Sequence, residues 1–422
     1  MGMNTVDVVL AGHLGAEVLG AVAVGTALFH LANVSAIGVN AALSPSVAQL
    51  DGARRRGAVG PLFRQGLLVA LPLGLVLAAF VWWGAPALAG LLGFSPALAL
   101  PARDFLHGVA PALPALSLFY ACRGLSEGLA LPRPTMIFGV LGLVLLIPLG
   151  YALMYGAGGL PALGALGCGI ATSLVCWAQV AGFAAFLLLS RRYRGLGWHG
   201  GTWRPEPPEI AGLLRIGLPM AASMLLESSM FSGAGLAIGT LGAAAVASHQ
   251  VALNVAAFAF MVPLGIALAV TVRVGQAAGR GDAAGVRRAG TAGFVFVLAM
   301  QTVSGTLMLA FPGAIAALYT QDAAVHDGAV TLLRIAGVFQ LSDGMQAAAS
   351  GALRGLKDTR VPMLITAVAY WGVGMPLALA LAFGAGWQAP GMWCGLIAGL
   401  TVAATLLGLR FFALARMLAR AL

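Results

Sequence analysis

Long apolar stretches dominate this chain, and short polar clusters interrupt them without strict alternation. Twenty residues of α-helix cross a hydrocarbon core of about 30 Å. Backbone groups in lipid find no water to bond, so such stretches must be helices or barrel strands. Their length and the lack of a two-residue period favour helices. Crossings are predicted near Leu19–Leu43, Leu62–Trp83, Phe105–Ala121, Met136–Tyr155 and Leu166–Leu189. Six more are predicted near Ile210–Thr240, Ala244–Val272, Gly290–Leu309, Ala329–Leu353, Met363–Phe383 and Met392–Leu414. Met1–Gly12 is apolar apart from Asn4, Thr5 and Asp7, but as a helix it reaches only about 18 Å. It is therefore expected to be a truncated first crossing, or one completed further upstream.

The longest polar segment is RRYRGLGWHGGTWRPEPPE, residues Arg191–Glu209. Its Gly, Pro and charge predict a linker between an N-terminal lobe, 1–190, and a C-terminal lobe, 210–422. The two lobes repeat. At an offset of 227 residues, Leu14-Gly15 matches Leu241-Gly242, and Gly38, Gln49 and Gly52 match Gly265, Gln276 and Gly279. Further on, Arg123-Gly124-Leu125 with Pro134 is matched to Arg354-Gly355-Leu356 with Pro362, which calls for a three-residue indel. The predicted fold class is an all-α polytopic membrane protein of about twelve transmembrane helices in two six-helix repeat lobes. An even number of spans per lobe predicts a pseudo-two-fold axis along the membrane normal.

Composition agrees with a membrane scaffold. Hydrophobic residues make up 60% of the 422 and charged ones 9%, against about 25% charged in soluble domains. The net charge of +10 does not point to nucleic acid, because 21 of the 23 Lys and Arg fall in alternate loops and at the C-terminus. By the positive-inside rule those loops and the C-terminus are cytoplasmic. The expected surroundings are the bilayer, with no nucleic-acid partner. Cys122, Cys168, Cys176 and Cys394 lie in apolar surroundings without a CxxC spacing, and are expected to be small buried residues.

The chemistry concentrates in a few intramembrane acids. Ile216–Leu241 is a run of twenty-six residues whose single ionisable side chain is Glu227. A carboxylate at mid-bilayer costs at least about 2.5 kcal/mol, so it normally faces a partner or a watery cavity. Asp343 stands in the apolar context AGVFQLSDGMQAAASGAL, and Asp7 lies in the short first stretch. The plainer reading is a protonated acid hydrogen-bonded to a neighbouring helix. The functional reading is a cation switch, in which a proton, Na⁺ or an organic cation competes for one carboxylate site. Binding that differs between inward- and outward-facing states then lets an ion gradient drive another solute.

Other polar residues are read against packing. His249, near the start of the eighth span, is an interface residue, with a proton relay as the second reading. Asn33 and Asn40 suit a cavity wall and interhelical bonding equally. Met220, Met224 and Met230 around Glu227 are expected to pack. Trp82, Trp83, Trp198 and Trp203 are expected at the membrane interfaces.

The stretches SPSVAQLDGARR, LRIGLPMAASMLLE, ASHQVALN, VRVGQAAGRGD and SDGMQAAASGALRGLKD together resemble the multidrug and toxic compound extrusion (MATE) family, in its NorM-like bacterial branch. The resemblance covers nearly the whole chain. It implies twelve helices in two lobes around a V-shaped cleft, and efflux of cationic amphipathic drugs in exchange for Na⁺ or H⁺. The family's paired C-terminal acids fall on Glu227 and Asp343, which would also be the place for Na⁺, and its first-helix acid falls on Asp7. Two departures stand out. Leu146-Ile147-Pro148-Leu149-Gly150 lacks the Asn residues that flank this proline in the branch, and Phe339 replaces a Tyr one turn before Asp343.

The expected protein is a secondary active exporter in a bacterial inner membrane, monomeric, with no cofactor beyond its coupling ion and no catalytic residues. The alternatives are a flippase for lipid-linked precursors in the same superfamily, an intramembrane aspartyl protease and a channel. Cavity cations would mark the flippase and a GxGD signature the protease; the spans show almost none of the former and lack the latter. No ATP-binding motif is present, which leaves an ion gradient as the expected driving force.

Overall fold

The computed structural model describes residues 2–84, 86–87, 96–157, 161–197 and 203–421. No strand occurs among them. Helix is the element in which each residue satisfies its own segment's backbone groups, as lipid requires.

The N-terminal elements are α1 (Gly2–Gly12), α2 (Ala16–Asn40), α3 (Leu43–Gly52), α4 (Val59–Ala79), α5 (Pro96–Val109), α6 (Ala112–Gly128), α7 (Arg133–Tyr155) and α8 (Gly164–Leu189). The C-terminal elements are α9 (Pro207–Gly239), α10 (Ala243–Gly279), α11 (Ala283–Ala310), α12 (Pro312–Ala317), α13 (Ala323–Gly355), α14 (Arg360–Gly384) and α15 (Gln388–Ala421). Nine helical stretches of the described residues are long and apolar enough to cross a membrane, ten with the bent pair α5–α6. Helix α13 is 33 residues long, but His326, Asp327, Arg334, Asp343 and Arg354 make it more polar than its neighbours. With it and the eleven-residue α1, the chain is a multi-pass helical membrane protein of about twelve spans.

Two details depart from the sequence expectations. The crossing placed at Phe105–Ala121 is not one straight helix: α5 and α6 meet at a bend of 44°. Pro111 at the bend and Pro114 one turn on lack backbone N–H donors and cannot close the ladder there. The repeat also needs no indel. Helices α6 and α13 end at Gly128 and Gly355, followed by Ala130 at φ 58° and Lys357 at φ 60°. Helices α7 and α14 then begin at Arg133 and Arg360. Each of these pairs is 227 residues apart, so Arg354 corresponds to Glu127 and the match to Arg123 is one turn out of register.

The same offset relates the helix starts. Gly15 (φ 113°, ψ 166°) precedes α2 and Gly242 (φ 108°, ψ 168°) precedes α10. This region of φ admits glycine and little else. Asp282 and Asp322 cap α11 and α13 by accepting from the Gly285 and Val325 amides at 2.7 and 3.1 Å.

The chain divides into two compact units, Met1–Val47 with Arg55–Ala221 and Ala48–Arg54 with Ala222–Leu422. In unit 1, Leu146, Ala171 and Val175 bury against Met3, Val6, Leu149 and Leu153, which holds the short α1 on α7 and α8. In unit 2, one continuous core runs through Met230, Ala252, Phe339, Tyr370, Trp393 and Phe411. Gly52 lies against the Gln276 carbonyl and Gly279 against the Gln49 carbonyl, all within unit 2. A side chain at either glycine would strike backbone.

Candidate functional site

Unit 2 gathers the two C-terminal acids. Glu227 sits midway along α9, partly buried. Asp343 is 6% exposed on α13, and its Oδ1 has no hydrogen-bond partner among the described residues. The two carboxyls lie within electrostatic range of each other. Two further side chains complete the cluster. Arg354, in the last turn of α13, interacts electrostatically with Glu227, and Tyr370 of α14 interacts with Glu227, Asp343 and Arg354. The Tyr370 hydroxyl is fully buried and, like Asp343 Oδ1, has no partner among the described residues.

Local structure accounts for these positions. Helix α13 runs on to Gly355, so Arg354 is a helical residue rather than a loop residue. Tyr370 falls in a π-helical stretch, Val368–Gly374. Such wide turns recur at functional sites, because they re-aim side chains that an unbroken α-helix would place elsewhere. Three residues before Asp343, Gln340 is fully engaged: Gln301 donates to its Oε1 at 2.7 Å, and it donates to the Ala256 carbonyl at 3.1 Å. That network fixes α13 against α10 and α11 and leaves Asp343 as the unsatisfied acid of its helix.

Phe339 belongs to an aromatic cluster instead. It meets Phe231 and Trp393 edge-to-face, with centroids at 6.0 and 5.3 Å. Tyr370 contributes a hydroxyl to the electrostatic cluster of the two acids. His249 is 1% exposed, and its Nδ1 accepts the Trp393 indole N–H at 3.1 Å. Indole only donates, so the neutral imidazole carries its proton on Nε2. Nε2 has no partner among the described residues.

Asp7 belongs to unit 1 and is 5% exposed. Thr172 of α8 donates to its two oxygens at 3.5 and 3.3 Å, and the Cys168 thiol hydrogen-bonds it as well. Asn33 accepts from the Tyr120 hydroxyl at 2.8 Å. Asn40 donates to Ser117 at 2.9 Å and to the Ala36 carbonyl at 2.8 Å, so both asparagines tie α2 to α6. Met220 and Met230 are buried, Trp83 and Trp203 are exposed, and Trp198 lies outside the described residues. The four cysteines are free thiols.

Sequence reasoning missed Arg354, Tyr370, Thr172 and Cys168. Tyr370 carried one signal, a phenol within the largely apolar run MLITAVAYWGVG. Arg354 was masked by its place at the head of a basic loop.

Two repeats of membrane-crossing helices with acids sunk in each unit define a polytopic helical membrane protein. The MatE family model matches residues 1–152 and 219–380. The chain is 46% identical over 406 residues to a "Probable multidrug resistance protein NorM" of Xanthomonas campestris pv. campestris, covering 96% of this chain and 88% of that one. It is 39% identical over 418 residues to "Multidrug resistance protein PmpM" of Pseudomonas aeruginosa, covering 98% and 88%. The fold matches "Crystal structure of MATE in the bent conformation" with a TM-score of 0.90 at 21% identity, covering 99% of this chain and 92% of that one. The chain belongs to the MATE family, in its NorM-like bacterial branch.

Proposed function

We propose that this chain is a secondary active multidrug exporter, exchanging cationic amphipathic compounds for Na⁺ or H⁺ by alternating access. The observation that carries this reading is the charge balance in unit 2. Glu227 and Asp343 supply two carboxylates and Arg354 one guanidinium, so a single monovalent cation neutralises the cluster. Tyr370 and the unpartnered Asp343 Oδ1 offer oxygens to such a cation. Oxygen ligands suit Na⁺, and the same carboxyl accepts a proton. One site that takes either the coupling ion or a cationic drug, but not both, couples the two by competition.

The names of its relatives support drug efflux as the physiological direction. The loop bias of Lys and Arg supports a bacterial inner membrane with the basic loops and C-terminus cytoplasmic. The test is reconstitution into vesicles with imposed Na⁺ or H⁺ gradients. Uptake or release of a fluorescent cationic drug should follow one gradient and collapse when it is dissipated. Drug movement indifferent to both gradients would defeat the antiport reading.

A further inference from the structure

We infer that unit 1 carries a binding groove for one anionic phospholipid, its acyl chain lying among Trp82, Trp83 and Trp177 and its phosphate at Arg103. The groove has a volume of about 370 Å³, and its walls include Leu75, Ala79, Trp82, Trp83, Pro114 and Trp177. All lie in unit 1, on α4, the α5–α6 junction and α8.

Three features of the chain open it. Helices α4 and α6 touch at Gly74, where a methyl group would meet the Pro114 Cα at 2.5 Å. Beyond that contact α5 and α6 meet at a bend of 44°. Helix α4 meanwhile widens into a π-helical end, Phe80–Gly84, which carries both tryptophans. The groove's polar atoms are already engaged: Trp177 Nε1 donates to the Pro111 carbonyl at 3.0 Å, and the Trp82 carbonyl bonds His107 at 3.1 Å. That leaves apolar walls, which suit an alkyl chain.

A cation, Arg103, stands on α5 two turns from Ala110 of the groove wall. Arg103, His107 and Ala110–Pro111 follow one another at four-residue steps, so they share a helix face. His107 stacks on Trp82, with centroids 4.4 Å apart and planes at 13°. Arg103 is exposed, and no described residue pairs with it. Asp104 is also exposed but is its immediate neighbour, and adjacent residues on a helix do not face the same way. Depth is fixed by Arg123, which pairs with Glu127 at the other end of the same bent span. Twenty residues separate Arg103 from Arg123; a straight helix of that length measures about 30 Å, and the 44° bend leaves roughly 28 Å, close to the hydrocarbon thickness. Arg103 therefore reaches headgroup level while the groove lies within the acyl region. In the topology proposed above this is the outer leaflet; the lipid assignment itself needs only that the span crosses.

The test uses the full chain in phosphatidylcholine vesicles doped with a brominated-acyl lipid, with quenching of tryptophan fluorescence as the readout. Brominated phosphatidylglycerol should reach half-maximal quenching at about fivefold lower mole fraction than brominated phosphatidylcholine, the ratio for roughly 1 kcal/mol per interfacial cation. Arg103→Gln should erase that difference. Ala79→Phe, which fills the groove, should weaken quenching by both lipids; Ala78→Leu serves if that variant does not fold. Equal mole fractions for the two lipids, or a preference that survives Arg103→Gln, overturns the proposal. Displacement of the brominated lipid by tetraphenylphosphonium would make the groove a drug site and overturn it equally.

Discussion

Asp343 Oδ1 and the Tyr370 hydroxyl are buried in the same electrostatic cluster of unit 2, and neither finds a hydrogen-bond partner among the described residues. A buried polar atom left unmade costs about 1–3 kcal/mol. Tyr370→Phe should therefore leave stability unchanged or raised by about 1 kcal/mol. If the hydroxyl helps to hold the coupling cation, the same variant should need about tenfold more ion for half-maximal efflux, the equivalent of about 1.4 kcal/mol. Unchanged ion dependence, measured by drug efflux against stepped gradients, would remove Tyr370 from the site.

The two acids are expected to act as one unit. Glu227→Gln and Asp343→Asn keep shape and hydrogen bonding while removing charge, so both should insert and fold. Either should abolish gradient-driven efflux, and the double variant should be no worse than the worse single one, because coupled residues are non-additive. Full efflux by Glu227→Gln at normal expression would leave that acid a structural hydrogen-bonding group.

Arg354 supplies the third charge, and its removal tests the balance from the other side. Arg354→Gln leaves two carboxylates facing a cation with no guanidinium to share them. The cluster should then hold its cation more tightly, so the half-saturating ion concentration falls while turnover slows at release. Weaker ion binding in equilibrium titrations of the variant contradicts the one-cation balance.

Topology can be read by labelling single cysteines in a background without the native four. Positions Ala58 and Ala283 should react only from the cytoplasmic side, and Ala323 only from the outer side. Labelling of Ala58 and Ala323 from one face is incompatible with twelve spans, since an odd number of crossings must separate them.

Ala130 is exposed and sits at φ 58° just past α6. A side chain in the left-handed region costs about 1–2 kcal/mol, offset in part by the extra backbone freedom of glycine in the unfolded chain. Ala130→Gly should raise the detergent melting temperature, with a net gain of about 0.5–1 kcal/mol. A lowered melting point would mean that the Ala130 side chain makes a contact worth more than its strain.

The helices and their repeat were legible because lipid leaves the backbone one answer and because glycines at forced φ, such as Gly15 and Gly242, cannot drift. Glu227, Asp343 and Asp7 were legible for the converse reason: an acid is costly in an apolar run and shows against it. The bend at Pro111 was less legible, since membrane helices tolerate proline, as α4, α7, α9 and α10 do at Pro72, Pro148, Pro219 and Pro263. Arg354 and Tyr370 were hidden by their surroundings. An arginine beside a basic loop looks like a topology signal, and nothing in the order of residues announces that a π turn will swing a tyrosine inward. Likewise the misregistered Arg123–Arg354 match followed letters, Arg-Gly-Leu, where the backbone repeats in the left-handed residues Ala130 and Lys357, two past Gly128 and Gly355.

The bond between Trp393 and His249 makes the imidazole a latched base. To pick up a second proton at Nδ1, His249 must first push the indole N–H aside, and Trp393 cannot turn without disturbing Phe339, one turn from Asp343. A protonated Nδ1 and the Trp393–His249 bond are therefore mutually exclusive. A chain in which Trp393 became Phe would keep the wall's bulk and lose the latch, leaving His249 free to titrate on its own.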